Sequence, residues 1–225
     1  MKIHAMHVFE GLVSFNKFSD FLEIEKWRIE KQLLKERVEK YGNNESFFNL
    51  KKQFNEKKLS MWELKDEEVI TWMDTSILIR RLLVELFKKG INAEQILIVM
   101  EYPLVFGNHM RSDYLIVYDR LIVVLEFGMF NQDEKRSEER YTKKLQESIN
   151  YRQLIGNMVS KEIQVVNYVM IYLPEYDRHL KKELVENTKH NHEELMSLSR
   201  FLVSNIRLQD SLSAKSQMEL LDSYK

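Results

Sequence analysis

Residues 111–128 read RSDYLIVYDRLIVVLEFG, and the pattern of this stretch decides the fold. Two runs of β-branched and aromatic residues, 114–118 and 121–125, are separated only by Asp119-Arg120. That spacing is the signature of an antiparallel hairpin. With those two residues in the turn, Asp113 falls directly opposite Glu126. A symmetric four-residue loop keeps the pairing, whereas one extra loop residue breaks it. Directly paired side chains have Cβ atoms about 4.5–5.5 Å apart, so two like charges there repel. A divalent cation between them offsets that repulsion, and hard carboxylate oxygens suit Mg²⁺ or Mn²⁺. Either acid alone reads as a strand-end charge meeting water. The facing pair reads as a metal site.

Further apolar runs extend the pattern on both sides. Residues 96–100 and 163–173 have strand composition and little alternation, which predicts a sheet covered on both faces. Residues 66–89 carry apolar side chains at 3–4 spacing, with Lys88-Lys89 and then Gly90 as a C-terminal signal. A second helix is predicted over 137–158, with Ser137 as N-cap and Glu138 and Glu139 in its first turn. Within it, Lys143, Glu147 and Tyr151 fall at i, i+4 and i+8. Upstream, helical patterns cover 20–41, closed by Gly42-Asn43-Asn44, and 45–58. Residues 1–19 carry no clear pattern, and 175–225 return to charged helical periodicity. The order predicts an α/β domain over 66–174, with helical additions over 1–65 and 175–225.

Composition narrows the function classes. A length of 225 residues suits one large domain, or one domain with an appendage. Hydrophobic residues at 44% and charged residues at 31% exclude a disordered chain and a membrane protein. Lys and Arg total 34 against 35 Asp and Glu, so no uniformly basic coat exists. Contact with DNA then falls to local patches. Residues 26–58, with ten Lys or Arg against five Glu, are one patch, and 135–144 are another. The lack of cysteine removes disulfides, thiol catalysis and cysteine-ligated zinc. His4, His7, His190 and His192 lack zinc-ligand spacing. No phosphate-binding GxxxxGK[ST] loop, GxGxxG turn or GxSxG elbow occurs. The N-terminus lacks a signal-peptide core and no apolar run reaches about 18 residues, so a cytoplasmic location is expected.

The helix, three strands, crossover helix and further strand, with facing acids on the second and third strands, resemble the PD-(D/E)XK nuclease superfamily. The resemblance covers roughly residues 66–174 and implies a restriction-endonuclease-like core. It implies that Asp113 and Glu126 hold Mg²⁺ or Mn²⁺ and that the chain hydrolyses DNA phosphodiester bonds. The family also often carries a metal-binding glutamate on the preceding helix, for which Glu85 is the candidate. Its motif places a lysine two residues after the second acid, and here that position is Gly128. Three explanations follow. The cation comes from Lys143 or Lys144 on the crossover helix, or from Arg111 opposite Gly128, or the site is inactive. In the last case the fold serves as a module binding nucleic acid or a protein partner. The resemblance further implies that Gln146 and Tyr151, or Gln153, contact the substrate strand. The charged helical ends are candidates for a homodimer or partner interface.

Overall fold

The computed structural model describes residues 3–57, 63–104, 110–129 and 134–224. It is an α/β fold built on a five-stranded mixed sheet in the order β1-β2-β3-β4-β5. These strands are β1 (His7–Glu10), β2 (Leu97–Pro103), β3 (Arg111–Tyr118), β4 (Leu121–Met129) and β5 (Gln164–Tyr172). The first four run antiparallel to their neighbours, and β5 joins β4 in parallel. The crossover between β4 and β5 is α5 (Glu134–Met158). The hairpin register is the one its two-residue turn dictates: Tyr114 pairs with Leu125 and Tyr118 with Leu121. Asp119 takes a left-handed φ of 45° in that turn, a conformation Asp tolerates better than most residues.

Both faces of the sheet are covered, as its near-continuous apolar runs require. On one face Tyr114, Ile116, Leu121, Val123 and Leu125 pack with α4 (Asp66–Lys88) and α6 (Val185–Ser211). On the other, Val99, Leu115 and Val124 meet Tyr151 and Ile155 of α5. Side chains alternate between the two faces with the period of two that a strand imposes. The larger core draws on all three sequence segments, from Met6 and Phe15 through Leu82 to Ile206.

Several elements differ from the sequence expectation. The helix predicted over 20–41 is two helices, α1 (Gly11–Ile24) and α2 (Leu34–Tyr41), separated by an extended segment. Lys26 takes a φ of 52° there, and Trp27 turns inward to donate its indole N–H to Asp74 at 2.8 Å. Tertiary burial outweighs local propensity at this point. The N-terminal residues are not purely helical either, because β1 pairs with β2 at the sheet edge. Gly11, with φ 82°, makes the turn from β1 into α1, where a Cβ would stand 2.7 Å from the Glu94 Cα. α3 (Glu45–Glu56) follows, and Lys58 lies outside the described residues. Ser137 is not an N-cap: α5 begins at Glu134, which leaves Ser137 buried within the helix. Before α6, a two-residue hairpin of β6 (Tyr176–Asp177) and β7 (Lys182–Glu183) interrupts the C-terminal helices, which end with α7 (Ala214–Asp222). No helix among the described residues is long and apolar enough to cross a membrane.

Candidate active site

At one end of the hairpin the ladder between β3 and β4 stops at Tyr114 and Leu125, while each strand stays paired with its outer neighbour. β3 and β4 therefore fork, and Asp113 and Glu126 occupy the fork. Each carboxylate accepts a main-chain N–H from the opposite strand. The Asp113 N–H donates to Glu126 Oε1 at 3.1 Å, and the Phe127 N–H donates to Asp113 Oδ2 at 2.9 Å. These reciprocal bonds satisfy amides that the ladder would otherwise pair, and they fix both carboxylates in orientation.

The cation between them comes from α5. Lys144 Nζ donates to Glu126 Oε2 at 2.9 Å and to Asp113 Oδ2 at 3.2 Å, with Glu147 Oε2 at 3.8 Å. Lys144 lies on the face of α5 that also buries Ser148, Tyr151 and Ile155 against the sheet. Burial alone would lower the affinity of this amine for its proton. The Asp113 and Glu126 charges override burial and hold the ammonium above its ordinary range. Glu126 is fully buried. Burial, then the Asp113 charge, pushes its carboxyl well above the usual range against the pull of Lys144.

Gly128, two residues after Glu126, stands close to β5. A Cβ on Gly128 would stand 2.7 Å from Ile171 Cδ1 on β5, so a side chain there requires the isoleucine to shift. Arg111 does not supply the missing cation. Its guanidinium turns toward α4, bonding Glu68 Oε2 at 2.6 Å and Glu101 Oε2 at 3.3 Å, over the Phe54 ring. Lys143, one residue from Lys144, points to solvent, with Glu147 3.9 Å away on its own helix.

Glu85 is not part of this group: it pairs with Lys88 at 2.7 Å near the far end of α4. The hairpin meets α4 at Thr75 and Ser76, through the Tyr114 hydroxyl, and at Glu68, through Arg111. Glu85 lies about 15 Å beyond the first of these contacts, away from Glu68, at 1.5 Å per residue. Gln146 is exposed and bonds Asn150, Gln153 is exposed, and Tyr151 is buried against the sheet, where burial and then the Glu126 charge push its hydroxyl up. Much of the basic stretch from residue 26 is engaged internally: Arg28 with Glu183, Lys31 with Asp177, Lys40 with Glu30 and Lys51 with Asp66.

Sequence reasoning missed Glu101. It lies on β2 between the residues paired with Tyr114 and Ser112, and so opposite Asp113. Its φ of 52° turns the side chain toward Trp72, whose indole N–H donates to Oε1 at 2.8 Å. Burial raises its pKa to about 8, with Arg111 opposing and the Asp113 charge adding. A glutamate closing an apolar strand run, on the strand beside Asp113, was the available signal.

No protein-family model, curated protein or solved structure matches the chain. Among the described residues, no group of three or more His, Asp or Glu side chains could hold a metal ion. The arrangement is two oriented carboxylates sharing one ammonium at an opening in the sheet. It can hold a cation and present positive charge to an anionic substrate.

Proposed function

We propose that the chain is a metal-dependent nuclease of the PD-(D/E)XK type that hydrolyses DNA phosphodiester bonds, with Lys144 supplying the cation from the crossover helix. The observation that carries this reading is the Lys144 ammonium bridging Asp113 and Glu126 at the fork of β3 and β4. The order α4, β2, β3, β4, α5, β5 supports a restriction-endonuclease-like core around it. The inactive-module reading drew its support from Gly128, and a lysine arriving from α5 weakens that support.

The two carboxylates fit Mg²⁺ or Mn²⁺. The ammonium already acts as a cation between them, and Mg²⁺ commonly takes one or two carboxylates, leaving its other positions to water and substrate phosphate. When bound, such an ion polarises the phosphate and activates a water. The protein's own groups do the rest. The Asp113 and Phe127 amides hold Glu126 and Asp113 in place without reorganisation during the reaction. Lys144 keeps its proton and sets a positive charge where negative charge develops on the phosphate. Lys135 and Arg140, exposed on α5, offer contacts to the flanking phosphates. Glu126 must be ionised to hold the metal, so metal affinity rises with pH as its raised carboxyl loses its proton.

The test is cleavage of linear duplex and single-stranded DNA with Mg²⁺ or Mn²⁺. The native chain cleaves, and Asp113→Asn and Glu126→Gln lose at least about 100-fold in rate. Cleavage by either variant at the native rate would overturn the assignment.

A further inference from the structure

β5 is the outer strand of the sheet, and its nine residues, QVVNYVMIY, contain no charged residue and no proline. Native sheets guard such an edge by shortness, charge, proline or a covering segment, because its unpaired N–H and C=O groups template another strand. The opposite edge is guarded by brevity, since β1 has four residues. Among the described residues no segment pairs with the outer side of β5. Only past its end, at Leu173, does Asn191 of α6 satisfy the main chain, at 2.7 and 2.8 Å. α5 and α6 flank the edge and leave a groove of about 700 Å³.

The groove has a definite chemistry. Glu138 and Glu194 line it, no Lys or Arg among the described residues does, and Tyr141 and Tyr168 supply aromatic surface. Tyr168 is held against Phe201, with ring centroids 5.1 Å apart, while Tyr141 is 42% exposed. His190 Nε2 is shielded from water and has no hydrogen-bond partner.

We propose that this groove docks an extended, lysine- or arginine-bearing peptide segment of a protein partner, which adds to the sheet as a sixth strand along β5. The main chain of β5 supplies the hydrogen bonds of strand addition, and the groove walls select the side chains. The two glutamates oppose the peptide's cations, and the tyrosine faces attract them. A nucleic-acid strand is disfavoured because it would bring phosphates against the two carboxylates that line the groove. A second copy is disfavoured because pairing β5 with itself brings four carboxylates into one groove.

The probe is a fluorescent octapeptide alternating valine and lysine, titrated into the full chain by anisotropy. It binds saturably, and amide exchange slows across residues 165–171. Binding is at least about 10-fold weaker for the glutamate analogue and for the Glu138→Lys/Glu194→Lys chain, the loss of two charge pairs. It is weakened as much when every second peptide nitrogen is methylated. Both substituted glutamates lie on helix surfaces, and a thermal melt of the variant confirms its fold. Four results would each overturn the proposal. These are no saturation up to about 1 mM peptide, indifference to charge or methylation, displacement by a single-stranded oligonucleotide, and self-association that protects residues 165–171 without peptide.

Discussion

Two of this molecule's ionic clusters are built on opposite plans. The Arg37 guanidinium grips Asp74 with two bonds of 2.7 Å, the Trp27 indole donates to the same carboxylate, and neither charged side chain is exposed. One cation meets one anion, and the pair ties α2 to α4. At the fork of β3 and β4, by contrast, two anions share one cation. Asp113 and Lys144 keep 26% and 23% of their side chains exposed while Glu126 keeps none. A closed and balanced pair holds elements together. An open cluster, with one carboxyl partly exposed and the other held above its ordinary range, suits the metal-dependent chemistry proposed for it.

The contrast can be broken by substitution. Arg37→Ala strands a buried Asp74 charge and should cost about 3–5 kcal/mol in denaturant unfolding, whereas Arg37→Met with Asp74→Leu should recover most of it. A loss below about 1 kcal/mol would show that the closed pair does not secure α2. Lys144→Met should cost less, about 1–3 kcal/mol, because Glu126 can take up a proton when its cation is gone. Asp113→Asn alone should leave stability unchanged or raised, since it removes one of two facing charges. Adding it to Lys144→Met should restore most of that loss. If Asp113→Asn destabilises as much as Lys144→Met, the two facing acids do not oppose each other.

A smaller effect reads the neighbouring strand. Folded Glu101 keeps its proton to about pH 8, whereas the unfolded chain sheds it near the ordinary value of 4.5. The folded state therefore binds more protons between those values. Its contribution is complete below about pH 4.5 and declines as pH rises to about 8, and raised Glu126 adds in the same direction. Buried His7, lowered to about 4, acts in the opposite sense up to its ordinary value of 6.5, so melting temperature should fall across pH 6.5–8, and Glu101→Gln should flatten that decline. A native profile rising over that range would contradict the burial of Glu101.

The hairpin was legible in the sequence because Asp119-Arg120 leaves only one register for two apolar runs, and that register places Asp113 against Glu126. Which lysine enters the fork was less legible. Lys143, Glu147 and Tyr151 share a helix spacing, but the buried side of α5 is set by Lys144, Ser148, Tyr151 and Ile155. The phase of a highly charged helix depends on what it packs against, and a one-residue difference decides whether a lysine meets water or the acids. The break between α1 and α2 was not legible either. No glycine or proline marks residues 25–33, and the chain turns there because Trp27 and Arg37 both reach Asp74, which is distant in sequence. Glu101 was visible as a charge ending an apolar run, but only the register of β2 on β3 brings it beside Asp113.

The most direct measurement compares two adjacent lysines. Lys144→Met and Lys143→Met remove the same charge from neighbouring positions of α5, so any difference reports the fork rather than net charge. With Mg²⁺ or Mn²⁺ and linear DNA, Lys144→Met should lose about 100-fold or more in single-turnover cleavage, while Lys143→Met stays within about 3-fold of the native chain. Equal losses in the two variants, or native cleavage by Lys144→Met, would contradict the account.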